Sequence, residues 1–182
     1  MNNIYRETYA EINLKNLYLN FLSVKKLIGD KKIIPVVKAN AYGHGVIKVV
    51  RHLYSKNVDY FAVSTLEEAL EIRKEFENIN ILVMGVVQSK YFRIAAINNI
   101  TLSISNNDQL NIPKDFVDVL KVHIKIDSGM NRLGFKTDIE IENAFKILKN
   151  DPNIFVEGIF THFSTADSDY DYYEKQLNKK VH

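Results

Sequence analysis

Two periodicities take turns along this chain, and that alternation limits its fold more than any other feature. Short β-branched runs alternate with segments whose apolar residues recur every three or four positions. The runs Ile33-Ile34-Pro35-Val36-Val37, Tyr60–Val63, Ile81–Met84, Ile100–Ile104, Leu120–Ile126 and Ile154–Phe160 are predicted as six strands. Asn13 is placed to cap a helix with a stripe of Leu14, Leu17, Phe21, Val24 and Leu27, closed by Gly29. Thr65 with Glu68 forms a capping box that opens the helix after the second strand. Further helices are predicted at about Val46–Lys56, Ser89–Asn98 and Ile139–Leu148, and from Tyr170 onward, with only a weak polar turn near Asn106–Asn111.

Strand, helix, strand in repetition predicts an α/β fold with a parallel sheet covered by helices. The Gly-rich dinucleotide fingerprint of doubly wound sheets is missing, which favours a parallel (β/α)8 barrel of the TIM type. About eight strands close such a barrel, so six make it incomplete, and the chain is expected to be part of a longer gene product. No linker or low-complexity tract divides residues 1–182, which read as one domain.

Composition narrows the function. Lys and Arg number 24 against 22 Asp and Glu, a net charge of +2, which argues against capture of nucleic acid or an acidic membrane and for a small-molecule partner. With no cysteine, the chain offers no disulfide framework, Cys-held metal or thiol nucleophile, and a reducing, cytoplasmic location is expected. The longest apolar run, Ile81–Val87, is far too short for a membrane span, and the polar start lacks a signal-peptide core.

Reactive groups of a parallel barrel stand at the C-terminal ends of its strands. Those positions hold Lys38, Ser64, Ser103 or Ser105, Lys125 with Asp127, and His162. A lysine at the end of an apolar strand is costly unless it is paired, neutralised or modified. Lys38 is the sharpest candidate, since a desolvated amine attacks carbonyls to form a Schiff base, though a strand-end lysine snorkelling to solvent fits the spacing equally. Tyr42 is available to bind a phosphate or to pack, and Gly43 and Gly45 permit close backbone approach. His44 and His162 have no neighbours at zinc-site spacing. Arg132, in a loop bracketed by glycines, suits a carboxylate or phenolate, or a surface pair with Asp138.

Residues Val37 to Gly45, VKANAYGHG, resemble almost letter for letter the cofactor-lysine motif of the alanine racemases, pyridoxal-phosphate enzymes of the (β/α)8 type. Lys125–Phe135 (KIDSGMNRLGF) and Gly158–Asp167 (GIFTHFSTAD) resemble that family's next two signatures, in order, and Tyr9-Ala10-Glu11-Ile12 is similar to its opening strand. Ser128 stands where Thr is common and Asn131 where Gly is common. The likeness runs the length of the chain but covers about the first half of a family member.

The resemblance implies that Lys38 holds pyridoxal 5'-phosphate as a Schiff base and serves as one of two acid/base groups at the substrate Cα. It implies that Tyr42 binds the phosphate, that Arg132 bonds the phenolic oxygen and faces the substrate carboxylate, and that His162 joins the polar network beside the ring. Lys125 matches a lysine carbamylated in many members. The activity implied is interconversion of L-alanine and D-alanine for peptidoglycan of the cell wall, by a homodimer. Its C-terminal β domain, absent here, carries the second base. A serine or broad-specificity racemase, or a non-catalytic pyridoxal-phosphate-binding barrel, are the alternatives; a Schiff-base aldolase would leave the Tyr42 and Arg132 motifs unexplained.

Overall fold

The computed structural model describes residues 8–113 and 118–178. Five parallel strands, β1 (Tyr60–Val63), β2 (Asn80–Val83), β3 (Thr101–Ile104), β4 (Leu120–Ile126) and β5 (Ile154–Thr161), lie side by side in chain order. The helical segments α1 (Leu14–Ile28), α3 (Val46–Tyr54), α4 (Leu66–Glu75), α5 (Phe92–Ile97), α6 (Asp138–Asn150) and α7 (Tyr170–Leu177) connect or flank them. A single left-handed helical turn, α2 (Lys38–Tyr42), lies ahead of α3. This is the arrangement of an incomplete barrel.

Local chemistry explains the boundaries. The Asn13 side chain accepts from the Asn16 amide, and the boxes Thr65/Glu68 and Thr137/Glu140 open α4 and α6 with reciprocal side-chain and backbone bonds. On one face of the sheet Phe61, Val63, Ile81, Val83, Leu102, Ile104, Val122 and Ile124 are sealed from water against Ile72, Phe92, Ala95, Ala144 and Leu148 of the helices.

Three expectations need correction. The predicted strand at 33–37 shrinks to one parallel bridge, Val36 to Ala62, where the Ala62 amide donates to the Pro35 carbonyl and the Val37 amide to the Ala62 carbonyl. Pro35 has no N–H to extend that ladder. Residues 8–13, which include the stretch likened to an opening strand, form no strand and are mostly exposed. In α1, Leu14, Leu17 and Phe21 pack on the core, but Val24 and Leu27 are largely exposed, because the described elements cover only the first part of the stripe. The segment at Ser89–Asn98 starts as a 3-10 turn (Ser89–Tyr91) before α5, and the weak polar turn is a 3-10 turn at Asn107–Leu110. The last helix ends at Leu177, and the tail to His182 extends beyond the described residues.

The opposite face of the sheet, toward the barrel axis, carries polar groups. Val122 pairs with Val156 but His123 with Gly158, so Glu157 is the extra residue of a β-bulge. Its Oε2 accepts from the Tyr60 hydroxyl at 2.9 Å and the Thr101 hydroxyl at 3.1 Å, and lies 3.2 Å from His123 Nε2. Burial first, then the Glu157 charge, push the Tyr60 phenol well above its usual range. For His123 burial outweighs Glu157 and lowers the pKa.

Candidate active site

At the C-terminal ends of the strands a cavity of about 340 Å3 is lined by Lys38, Tyr42, Ser64, Lys125, Arg132 and His162 with the apolar surfaces of Val36, Met84, Leu133 and Phe160. The three motif blocks therefore converge on one space. A larger groove of about 640 Å3 lies beside it along Val86, Gln88, Lys90 and Tyr91, and shares only Ser64 with the motif cavity.

Lys38 and Tyr42 reach this cavity through an unusual backbone. Ala39, Asn40, Ala41 and Tyr42 have φ between 50° and 55°, and Gly43 follows at 85°. An L-residue in the left-handed region costs about 1–2 kcal/mol, so four in a row need support from outside the turn. The Glu68 carboxylate accepts from the Ala39 amide at 2.6 Å, Asn40 Oδ1 accepts from the Val46 amide at 2.8 Å, and His44 Nδ1 lies 2.8 Å from the Ala41 carbonyl. The turn sets the Lys38 ammonium 5.9 Å from the centre of the Tyr42 ring.

The second block is a loop folded around Asp127. Its Oδ1 accepts from the amides of Gly129 and Asn131 at 3.0 and 2.9 Å, and its Oδ2 from that of Arg132 at 3.0 Å. Although burial opposes it, these three bonds hold the Asp127 carboxyl below its usual pKa. Gly134 sits at φ 130°, where a Cβ would stand 2.5 Å from the Asp127 amide nitrogen. Arg132 thus owes its place to an acid five residues earlier, and among the described residues it makes no ion pair with Asp138.

Of the two strand-end lysines, burial falls on Lys125, which is 5% exposed, while Lys38 is half-buried. Burial first and the Arg132 charge second lower the Lys125 pKa, against a weaker pull from Asp127. Its ammonium lies 5.3 Å from the centre of the Phe160 ring. His162 is also lowered, by partial burial and then by Arg132, Lys125 and Lys38, which favours the neutral imidazole at pH 7. The cations of Lys38, Lys125 and Arg132 thus bear on His162, and among the described residues no Asp or Glu lines the cavity. Chemically such a lining suits an anionic ligand that also offers apolar surface.

Not every strand-end group belongs to it. Ser103 and Ser105 are buried and donate to the Val83 carbonyl and to Gln109. His44 braces the left-handed turn. Glu68 escaped the sequence reading as more than a cap; a capping glutamate with an oxygen to spare is the signal that would have exposed it.

The family model described as "Alanine racemase, N-terminal domain" matches residues 12–181. The alanine racemase of Lactobacillus acidophilus is 41% identical over 184 aligned positions, covering 98% of this chain and 49% of that protein. An alanine racemase from Bacillus anthracis, solved with bound L-Ala-P, superposes with a TM-score of 0.88 at 33% identity, over 97% of this chain and 47% of that one. A histidine racemase from Leuconostoc mesenteroides superposes with a TM-score of 0.83 at 29% identity, over 90% and 45%. The chain spans about half the length of the relatives it matches.

Proposed function

Because the chain belongs to the alanine racemase family, we propose that it forms the cofactor-binding portion of a pyridoxal-phosphate-dependent racemase that interconverts L-alanine and D-alanine. The observation that carries this reading is the cationic cavity itself. Pyridoxal phosphate brings a phosphate, a phenolic oxygen and a flat ring, and a cavity holding two lysines, an arginine and a histidine, with no carboxylate among the described residues, suits that charge and shape.

In this proposal the Lys38 amine would hold the cofactor at its aldehyde carbon and, once the incoming substrate amine has displaced it, would be free to exchange a proton with the substrate Cα on one face. Tyr42, on the same turn, donates its hydroxyl to the phosphate. Arg132 donates to the phenolic oxygen and faces the substrate carboxylate, and His162, kept neutral, stands beside the ring without adding charge. The bound cofactor supplies the electron sink for the pair left when the Cα proton departs. Carbamylation of Lys125 would replace a buried cation by an anion able to pair with Arg132, which relieves the repulsion described above. Inversion needs a second proton-transfer group on the opposite face. That group, the β-rich C-terminal domain carrying it, the homodimer and a cytoplasmic location all belong to the same proposal.

The test is titration of the chain and its Lys38→Ala variant with pyridoxal phosphate, followed by borohydride reduction and peptide mapping. Wild type is expected to carry the label on Lys38 and the variant to carry none; a wild type without label at Lys38 overturns the reading. The likeness to a histidine racemase favours a second reading, in which the same cavity serves a larger amino acid. Incubating the loaded chain in D2O with L-alanine or L-histidine separates the two, since one base suffices to exchange the Cα proton. Faster exchange of alanine supports the first reading, of histidine the second, and tight binding without exchange points to a non-catalytic barrel.

A further inference from the structure

We propose that Glu68 is the positioning residue of this site: from the first turn of α4 it holds the left-handed turn that aims Lys38 and Tyr42 into the cavity. The inference rests on the proposed function for its cofactor, but its geometry stands alone. One carboxylate oxygen, Oε1, accepts from the Ala39 amide at 2.6 Å, across 29 positions of sequence. The other, Oε2, accepts from the amides of Ser64 and Thr65 at 2.8 and 3.2 Å. A helix cap requires only the second oxygen. The first is committed to a residue at φ 50°, directly after the cofactor lysine and at the start of four strained residues.

The same carboxylate therefore joins the end of β1 to the residue after Lys38. Ala39 follows the strand-end Lys38, and Ser64 follows β1 and also lines the cavity. A left-handed turn places residues four apart on one side, as a right-handed one does, but with the chain leaving in the opposite sense. Here it brings Tyr42 back over the same cavity as Lys38. Without a partner for the Ala39 amide the turn loses a charge-assisted bond that its alternatives do not need. Asn40 and His44 brace the turn elsewhere, Asn40 at the Val46 amide and His44 at the Ala41 carbonyl.

Glutamine is nearly isosteric with glutamate but has one acceptor oxygen, and its NH2 would confront either the Ala39 amide or those of Ser64 and Thr65, all donors. The Glu68→Gln variant therefore separates the roles when set beside Thr65→Ala. The latter removes the hydroxyl that accepts the Glu68 amide and weakens the α4 cap but leaves the Ala39 contact intact.

The experiment has two readouts. In cofactor-free protein, Glu68→Gln is expected to raise amide hydrogen exchange at Ala39–Gly45 by about tenfold or more, the loss of one bond to a charged acceptor. Pyridoxal phosphate, titrated by absorbance and trapped at Lys38 with borohydride, is expected to bind about tenfold more weakly to it. Thr65→Ala should lower the melting temperature yet stay within about twofold of wild type in both readouts. Equal effects of the two variants, or wild-type exchange in Glu68→Gln, would overturn the proposal. Should Glu68→Gln not fold, Glu68→Asp takes its place, because the shorter side chain keeps the charge but cannot span Ala39 and Ser64 together. A wild type that fails to take the cofactor would sink the proposed function, while the exchange data would still decide the role of Glu68.

Discussion

Replacing Lys125 by methionine should stabilise the cofactor-free chain. Lys125 is 5% exposed, and its ammonium is disfavoured by burial and by Arg132. Two things favour the charge: Asp127, and the face of Phe160 at 5.3 Å, worth about 1–2 kcal/mol where water is excluded. The pKa moves down from 10.5, so the unfavourable influences win. Methionine keeps the length and most of the packing and removes the charge. Replacing buried ion pairs by apolar groups of similar size is often neutral or stabilising by about 1–4 kcal/mol, and the Phe160 and Asp127 contacts place Lys125 at the lower end, about 1–2 kcal/mol at pH 7. For a chain of this size that is a rise in melting temperature of roughly 3–6 °C.

The pH dependence makes the prediction sharper. The unfolded chain holds the Lys125 proton up to 10.5, the folded chain only to a lower pH, so between these values the unfolded state binds more protons and wild-type stability rises with pH. Below that window both states are protonated and the penalty is present in full. The advantage of Lys125→Met should therefore be constant near neutrality and shrink as pH climbs through the lowered folded pKa toward 10.5. Urea denaturation of both proteins in carbonate-free buffers, which keep Lys125 an amine, measures it. A variant less stable than wild type at pH 7, or a stability difference indifferent to pH, would refute the reasoning.

Three further outcomes follow from geometry already described. Gly134→Ala places a Cβ against backbone at a φ of 130°, and should cost about 3 kcal/mol in urea denaturation and loosen the Arg132 loop. Asp127→Asn, which leaves at least one part-buried amide facing an NH2 group, should cost about 1–3 kcal/mol at neutral pH. Because the folded pKa of Asp127 lies below 3.8, its stabilisation is complete above that value and is lost as pH falls through the lower folded pKa, so the wild-type and variant stability curves should converge in acid. Tyr60→Phe deletes the shortest bond to Glu157 and should cost about 1–2 kcal/mol, and ultraviolet titration should lose a phenol that ionises well above the usual range.

The parallel α/β plan was legible because periodicity and caps are local: Asn13 and Thr65 each act within three residues of themselves. The strand at Val36 was overestimated because its β-branched residues say nothing about the ladder bond that Pro35 cannot donate. Lys38, Lys125 and His162 were expected on one rim because strand ends share it, whereas Tyr42 and Arg132 were assigned to the same site only through the resemblance of their motifs to those of the alanine racemases. The left-handed turn was not foreseen. Ala39, Asn40, Ala41 and Tyr42 show no local preference for positive φ apart from Asn40, and what sustains the turn, Glu68, lies 29 positions from Ala39. The Glu157 bulge escaped for the same reason, being fixed by Tyr60, Thr101 and His123 from three other strands.

The order of the strands also has a kinetic meaning. Each strand pairs with its successor in sequence, Tyr60 with Asn80, Leu82 with Thr101, Leu102 with Val122 and Leu120 with Ile154. The first three pairings join residues 19 or 20 positions apart and the last joins residues 34 apart, and because closure entropy grows only with the logarithm of loop length, the cost of adding a strand rises little as the sheet widens. Such a sheet can assemble like a growing crystal edge, one strand and its covering helix at a time, each finding a template completed just before it. A lesion in β1 or β2 would then delay all that follows, whereas the same lesion in β5 would leave four strands already in register.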